Sequence, residues 1–367
     1  MLMNTISTLG LSKRLRTSMA GLQIGLARVT DELASGKRHD VAGSLGARAG
    51  QAISFRQMHE RTDEYLKTCT LLDSRMTLMS GSMSEMDKAC SDVLALALTG
   101  AEQPPSVGWG LGIAARGALD QMVGLLNATV GGRSLFSGVD VDAAAMRPIR
   151  GGDGLGPSPM DVVKGAISTV LGGPAAPATA AEAAAVIAAL DDLFAVRDPA
   201  TPAPPPLTQT YEGGLYTGTT ALAPGGAPNP RVSGTPEEGV ELAYGVQAND
   251  PMMRSLMQGL FMLAAVDTGT LPAGAYQPYM DVAIDRLSAG LGELRRVQAE
   301  IGIQHASIPD TKQRLDARMK VLNEQIIALE DVDPYETSLR LGQIEAQLEA
   351  TMSATARVSR LRLTDYL

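Results

Sequence analysis

The chain is poor in the residues that anchor most globular cores and build most active sites. One Trp, four Phe and eight Tyr are spread over 367 residues, with two Cys and three His. A core must therefore be assembled from Leu, Ile, Val, Met and Ala, a palette that suits helices packed side by side. No run of 18 apolar residues occurs, so no membrane span is expected. The opening "MLMNTISTLGLSKRLRTS" lacks the apolar core and small-residue cleavage site of a secretory signal, so export with signal cleavage is not expected. Positive charge is also short. A net charge of −9 excludes general nucleic-acid binding, which rests on clustered Lys and Arg neutralising phosphates. Only residues 1–30 reverse this balance, carrying Lys13, Arg14, Arg16 and Arg28 with no acid. That stretch reads either as a solvated helix face or as a docking or targeting segment.

The search for chemistry finds little. His39, His59 and His305 have no partners at metal-ligand spacing. "GWGLGIAARG" follows Pro104 and Pro105 rather than a strand, so it is a loop entering a helix and not a phosphate cradle. No Walker motif or nucleophile elbow is present. Cys69 and Cys90 stand 21 positions apart on one expected helix, about 31 Å by helical rise, too far to bridge or to share one ion. Their surroundings read as a Met-filled apolar seam. No enzyme activity, cofactor or metal is expected.

Proline is absent before Pro104, and most of the 21 fall between 141 and 244. Because proline removes a backbone donor and opposes helix continuation, the middle third cannot share the architecture of its flanks. The expected fold is mainly α. A long antiparallel helical bundle or coiled coil forms from the two flanks, with a Pro/Gly-rich mixed α/β domain inserted. The expected division is 1–40 with 334–367 as terminal helical arms, 41–140 with 245–333 as the bundle, and 141–244 as the insertion.

Heptads carry the flanks. Leu15, Leu22 and Val29 form one row of the first arm, with Met19, Leu26 and Leu33 as the other and Leu11 ahead of them. "SGKRHDVAGSLG" then predicts a bend between Gly36 and Gly46. The next helix shows Cys69, Met76, Met83, Cys90 and Ala97 interleaved with Leu72, Met79, Met86 and Val93. From the far side, Met280, Leu287, Leu294, Ile301, Ile308, Leu315, Leu322 and Leu329 keep one row. The companion row turns polar at Gln298, His305 and Lys312, and Pro309 is expected to kink or restart the helix. In "DPYE", Asp333 is a candidate N-cap, Pro334 fits the first helical position and Glu336 the third, so a new helix begins there. Its seam is Leu341, Ile344, Leu348, Thr351, Thr355 and Val358.

Between flank and insertion, a helix through Leu119, Met122 and Leu126 is expected to close on Gly131 and Gly132 as caps. Within the insertion, "MDVVKGAISTVL" and "AAEAAAVIAALDDLF" predict helices and "PRVSGTPEEGVELAYGVQ" a hairpin. Asp191, Asp192, Glu237 and Glu238 are expected on solvated faces.

Each arm is striped on one face only, and a single such helix is marginal in water. The arms are therefore expected to be mobile in a free monomer and to fold against each other and against neighbouring copies. Leu11, Leu15, Leu22, Leu26, Val29 and Leu33, with Leu341, Ile344, Leu348 and Val358, are the expected assembly surface. Cys69, Leu72, Met76, Met79, Met83, Met86, Cys90, Leu287, Leu294, Ile301, Leu315 and Leu322 are the expected bundle core.

Four segments resemble the bacterial flagellin family: "LARVTDELASGKRHDVAGSLGARAGQAISFR", "LLNATVGGRSLFSGVD", "YGVQANDPMMRSLMQGLFMLA" and "YETSLRLGQIEAQLEATMSATARVSRLRLTDYL". The last is more similar to the hook–filament junction branch of the family than to its filament branch. The resemblance covers both flanks and little of the insertion. It implies a non-enzymatic, extracellular axial protein of the flagellum, exported unfolded without a cleaved signal. It implies self-assembly, contact with a neighbouring hook-associated protein and with flagellin, and an export chaperone on the C-terminal helix. Members usually carry paired Asp after the Ser-Gly-Lys-Arg stretch, where Asp40 here stands alone, and they seldom contain cysteine. The alternatives are filament flagellin and, outside the family, a cytoplasmic coiled-coil scaffold.

Overall fold

The structure is a computed structural model that describes residues 8–102, 108–173, 176–200 and 209–360. Its helices in chain order are α1 (Thr8–Ser35), α2 (Val41–Leu45), α3 (Ala49–Glu102), α4 (Gly108–Leu126), α5 (Pro159–Leu171), α6 (Ala180–Phe194), α7 (Pro251–Ala265), α8 (Ala273–Glu330) and α9 (Pro334–Arg360). Two small antiparallel hairpins complete the described residues: β1 (Thr129–Val130) with β2 (Arg133–Ser134), and β3 (Ser233–Glu237) with β4 (Val240–Ala243). The mainly helical fold expected from the sequence is present. No described helix is long and apolar enough to cross a membrane.

The chain forms two compact units, Met1–Glu64 with Arg314–Leu367, and Tyr65–Gln313. The long helices α3 and α8 contribute residues to both.

In the second unit the α3 heptads form the centre of the core. Cys69, Met76, Met79, Met83, Met86, Cys90 and Ala97 are fully buried, with Leu72 and Val93 nearly so. Leu287, Leu294 and Ile301 are buried from α8. Methionine suits such a core because its unbranched side chain fills irregular gaps. α7 is buried on nearly every side, from Met252 to Ala264. It packs close to α8 because of two glycines: a Cβ on Gly259 would stand 2.7 Å from Leu287 Cγ, and one on Gly290 2.7 Å from Leu256 Cγ.

The polar stretch of the α8 row meets α3. His305 Nε2 lies 2.8 Å from Asp73 Oδ1, Gln298 Nε2 donates to the Ser80 carbonyl at 3.5 Å, and Arg295 pairs with Asp87 at 2.9 Å. Gln298 and His305 of that row, with Arg295 beside it, thus each meet a specific partner on α3, the arrangement that fixes register in a helical seam. α8 continues past Pro309 as one helix, so the restart that the proline allowed does not occur there. The missing donor at Pro309 costs one intrahelical bond, while Ile301 and Ile308, 3% and 1% exposed, hold the turns before it by burial.

Gly131 and Gly132 do not cap α4, which ends at Leu126. They are the two turn residues of the β1–β2 hairpin, with φ of 58° and 79°, the left-handed pair that a two-residue hairpin turn favours. The helices and hairpin expected in 141–244 appear as α5, α6 and β3–β4. A capping box between Ser158 and Asp161 starts α5. These elements belong to the second unit, where α5 and α6 pack on α7. Asp191, expected on a solvated face, accepts from Gln258 Nε2 and from Arg286, both at 2.6 Å, and Asp192 pairs with Arg197 at 2.5 Å.

Candidate assembly interface

In the first unit, α1 and α9 are closed at one end by a backbone clasp that joins residues 36–38 to 330–332. Leaving α1, Gly36 takes a φ of 70°, open to glycine without strain, and turns the chain. Lys37 then bridges Asp331, the Arg38 amide donates to the Glu330 carbonyl at 2.9 Å, and the Val332 amide donates to the Gly36 carbonyl at 3.0 Å. The Glu330 side chain, 2% exposed, receives Arg56 Nε at 2.5 Å. Burial of that carboxylate is offset by a charge-assisted hydrogen bond, which raises the Arg56 pKa further. The lone Asp40 caps α2 by accepting from the Gly43 amide at 2.8 Å. Asp333 caps α9, accepting from the Tyr335 amide at 2.8 Å.

From this clasp α1 and α9 run side by side in opposite directions. Val29 is buried; Leu15, Leu22 and Leu26 on α1, and Leu341, Ile344 and Leu348 on α9, are half-buried. Further from the clasp, Ile344 Cδ1 lies 3.7 Å from where a Cβ on Gly25 would stand. Leu33, placed on the stripe by the heptad count, is 38% exposed, and half-buried Glu32 reaches back to accept from the His39 amide at 3.0 Å. A straight helix of 3.6 residues per turn drifts from a seven-residue repeat, so the end of the stripe rotates out of contact. The side chains of Leu11 and Val358 lie outside the described residues.

The pair is left with apolar residues turned away from their own contact. Ile24 is 56% exposed, Leu339 58% and Tyr335 80%. Ile24 stands half a turn from the Leu15–Leu22 stripe, and Tyr335 and Leu339 stand on the side of α9 opposite Ile344. The arm pair thus has one apolar face turned inward and single large apolar residues on the outer side of each helix. Leu315 and Leu322, expected in one bundle core with Cys69, are buried in this first unit instead.

Among the described residues, no three His, Cys, Asp or Glu side chains converge to hold a metal ion. Cys69 and Cys90 are both buried. Cys69 donates to the Pro236 carbonyl at 3.5 Å, and Cys90 lies 3.8 Å from Met122 Sδ.

Two family models match the flanks and together span more than half of the chain. Residues 6–140 match the bacterial flagellin N-terminal helical region, and residues 283–367 the bacterial flagellin C-terminal helical region. The chain belongs to the bacterial flagellin family. Proteins of this family are structural and non-enzymatic, and the chain is a structural component of the flagellum, the organelle of motility. Among solved structures, a protein of Vibrio parahaemolyticus described as a flagellar hook-associated protein is similar, with 11% identity and a TM-score of 0.47 over 77% of this chain and 96% of that one. No curated protein matches. In this flagellin-family chain the matched regions contain α1, α3, α9 and α8 from residue 283 onward, whereas α5, α6, the β3–β4 hairpin and α7 lie in the unmatched middle.

What the sequence did not reveal is a polar knot in the second unit. Arg254, near the start of α7, donates through Nε to the Asn249 carbonyl at 2.7 Å, through Nη1 to the Phe194 and Ala195 carbonyls at 3.1 and 2.9 Å, and through Nη2 to Glu212 Oε1 at 2.5 Å. Glu212 Oε1 also accepts from the Ala221 amide and Asn249 Nδ2. Tyr211 stacks beneath the guanidinium, its ring centre 5.1 Å away, and donates to the Ala248 carbonyl at 2.6 Å. Burial pushes the phenols of Tyr211 and Tyr216 well above their ordinary value, so both act as neutral donors. Such a knot has no periodic signature, because its members come from four separate stretches.

Proposed function

We propose that this protein forms the junction between hook and filament, the role of hook-associated protein 3, and that its arm pair is the surface through which copies join. The observation that carries the proposal is the apolar residues left outside the arm pair: Ile24, Tyr335 and Leu339 remain exposed after α1 and α9 have covered each other. Large apolar side chains left exposed on the outer side of both helices offer contacts to a partner, and in a flagellar subunit that partner is another copy or a neighbouring axial subunit. The interface on this reading comprises Leu11, Leu15, Leu22, Leu26, Val29, Leu33, Leu341, Ile344, Leu348 and Val358 together with those three outward residues. The arms form the inner tube, the bundle the next shell, and residues 141–244 face outward. A hook-associated protein on one side and flagellin on the other are its neighbours. An export chaperone covers the apolar face of α9 before secretion without signal cleavage.

The test is deletion of the gene, followed by electron microscopy of cells and medium. Intact hooks with flagellin monomers shed into the medium support the junction role. Loss of the whole filament polymer from both cells and medium identifies filament flagellin instead, and unchanged filaments and motility overturn both.

A further inference from the structure

The basic run near the start of the chain is used by no acid within it. Lys13, Arg14, Arg16 and Arg28 are all exposed on α1, and among the described residues none of them forms an ion pair. Glu345 and Glu349, one turn apart on α9, are exposed and form none either. The two groups miss each other along the arm. Gly25 stands beside Ile344 and the helices run in opposite directions, so Glu345 and Glu349 lie level with Ile24 and Ala20, where α1 has no cation.

The outward faces nevertheless match residue for residue. Along α1, Lys13, Thr17, Ala20, Ile24 and Arg28 recur every third or fourth position and form one exposed stripe. Along α9, Tyr335, Leu339, Gly342, Ala346 and Glu349 form another. Laid antiparallel, the stripes set Lys13 against Glu349, Thr17 against Ala346, Ala20 against Gly342, Ile24 against Leu339 and Arg28 against Tyr335. Opposite charges meet at one end, and a guanidinium meets an aromatic ring at the other. Between them Ala20 and Gly342 let the backbones approach, while Ile24 and Leu339, 56% and 58% exposed in the single chain, cover each other. Arg340 stands off this stripe and Arg357 beyond its end. The register is shifted by two helical turns, about 10 Å, from the pairing inside one chain, so only a second copy can supply it.

We propose that the α1 stripe of one copy docks antiparallel on the α9 stripe of a second copy in this register. Antiparallel α1 against α1 would set Lys13 against Arg28, so a symmetric pair is disfavoured. A contact between two different surfaces leaves one of each free, and it extends from copy to copy instead of closing as a dimer. The inference rests on the reading of the arm pair as the surface between copies, and it adds which helix meets which and in what register.

Sedimentation velocity of the full chain tests the charges. The parent is expected to associate, less so as salt rises. Lys13→Glu with Arg14→Glu, and separately Glu345→Lys with Glu349→Lys, should each raise the concentration for half-association about tenfold or more. An equal mixture of the two variants should recover it, because each then meets the opposite sign. Cross-linking tests the register: Thr17→Cys in one copy and Ala346→Cys in another should form a disulfide under mild oxidation, whereas Thr17→Cys with Ser353→Cys, two turns along the same side, should not. Association that survives either reversal, a mixture no better than its components, or equal cross-linking at 346 and 353 overturns this contact and leaves the arm-pair reading standing. A parent that stays monomeric at every concentration overturns both.

Discussion

Arg254 and Glu212 form an ion pair in which each side chain is only 6% exposed, 2.5 Å apart, with the guanidinium also spanning the last carbonyls of α6. A pair this deep is weak evidence for stability when compared with an apolar replacement, but breaking it leaves a charge without water or partner. Arg254→Met is therefore expected to cost about 3–5 kcal/mol, and Glu212→Gln somewhat less because the amide can still accept. The double substitution Arg254→Met with Glu212→Met should recover much of the loss. Urea unfolding of the four proteins measures this; equal losses in the single and double variants would refute it.

The knot also explains what the sequence concealed. Heptad rows in α3 and α8 were legible because burial repeats with the helix, and every α3 position assigned to the seam is buried. The start of α9 was marked by Asp333, whose side chain satisfies a free amide. The rest rested on contacts between distant stretches. Proline content suggested that residues 141–244 form a separate domain, yet the chain divides elsewhere, and Arg254 joins α6 and the Glu212 loop to α7. Gly131-Gly132 carries the same composition as a helix cap and as a hairpin turn, and only the pairing of Val130 with Arg133 distinguishes them. Leu33 shows the limit of heptad counting at the end of a stripe.

Two glycines on packed helices should respond with opposite signs. At Gly25 an added methyl meets Ile344 at an ordinary 3.7 Å, so Gly25→Ala adds contact and removes backbone freedom from the unfolded chain. A gain of about 0.5–1 kcal/mol is expected, read as slower amide exchange in α1 and α9. At Gly259 the methyl would stand 2.7 Å from Leu287 Cγ and 3.1 Å from the Ala283 carbonyl, where backbone cannot yield cheaply. Gly259→Ala is expected to cost about 1–3 kcal/mol in global unfolding. A stabilised Gly259→Ala protein would show that α7 and α8 pack less closely than described.

Burial pushes the Cys90 thiol up to about 12, with the nearby Asp87 carboxylate adding to the effect. The nucleophile in alkylation is the thiolate, so at pH 8 folded protein should leave Cys90 unmodified by iodoacetamide while unfolded protein reacts fully. The same shift makes stability depend on pH. Below about 8.5, where the thiol is protonated in both states, the contribution is constant. Above it the unfolded chain loses the proton and the folded chain keeps it, so stability falls as pH rises toward 12. Cys90→Ala should flatten that slope; an unchanged slope, or rapid labelling of the native protein, would contradict the burial.

At the acid end the informative pair is Asp153 with Arg147. The Arg147 guanidinium, donating through Nε at 2.7 Å and Nη2 at 3.0 Å, holds the Asp153 carboxyl down at about 2, and the Leu155 amide helps. Arg147 is itself buried and also donates to the Gly214 carbonyl at 3.1 Å, so this pair fixes the start of the middle segment against the Glu212 loop. An unfolded Asp titrates near 3.9, roughly. Above that value both states are ionised and the native interaction contributes in full. Between about 4 and 2 the unfolded chain binds a proton that the folded chain refuses, so stability falls with pH, and below about 2 the contribution is gone. Asp153→Asn should therefore be less stable than the parent by a constant amount above pH 5, with the two converging as pH drops to 2. A difference that stays constant through that window would mean that the carboxylate charge at Asp153 contributes nothing to holding the middle segment in place.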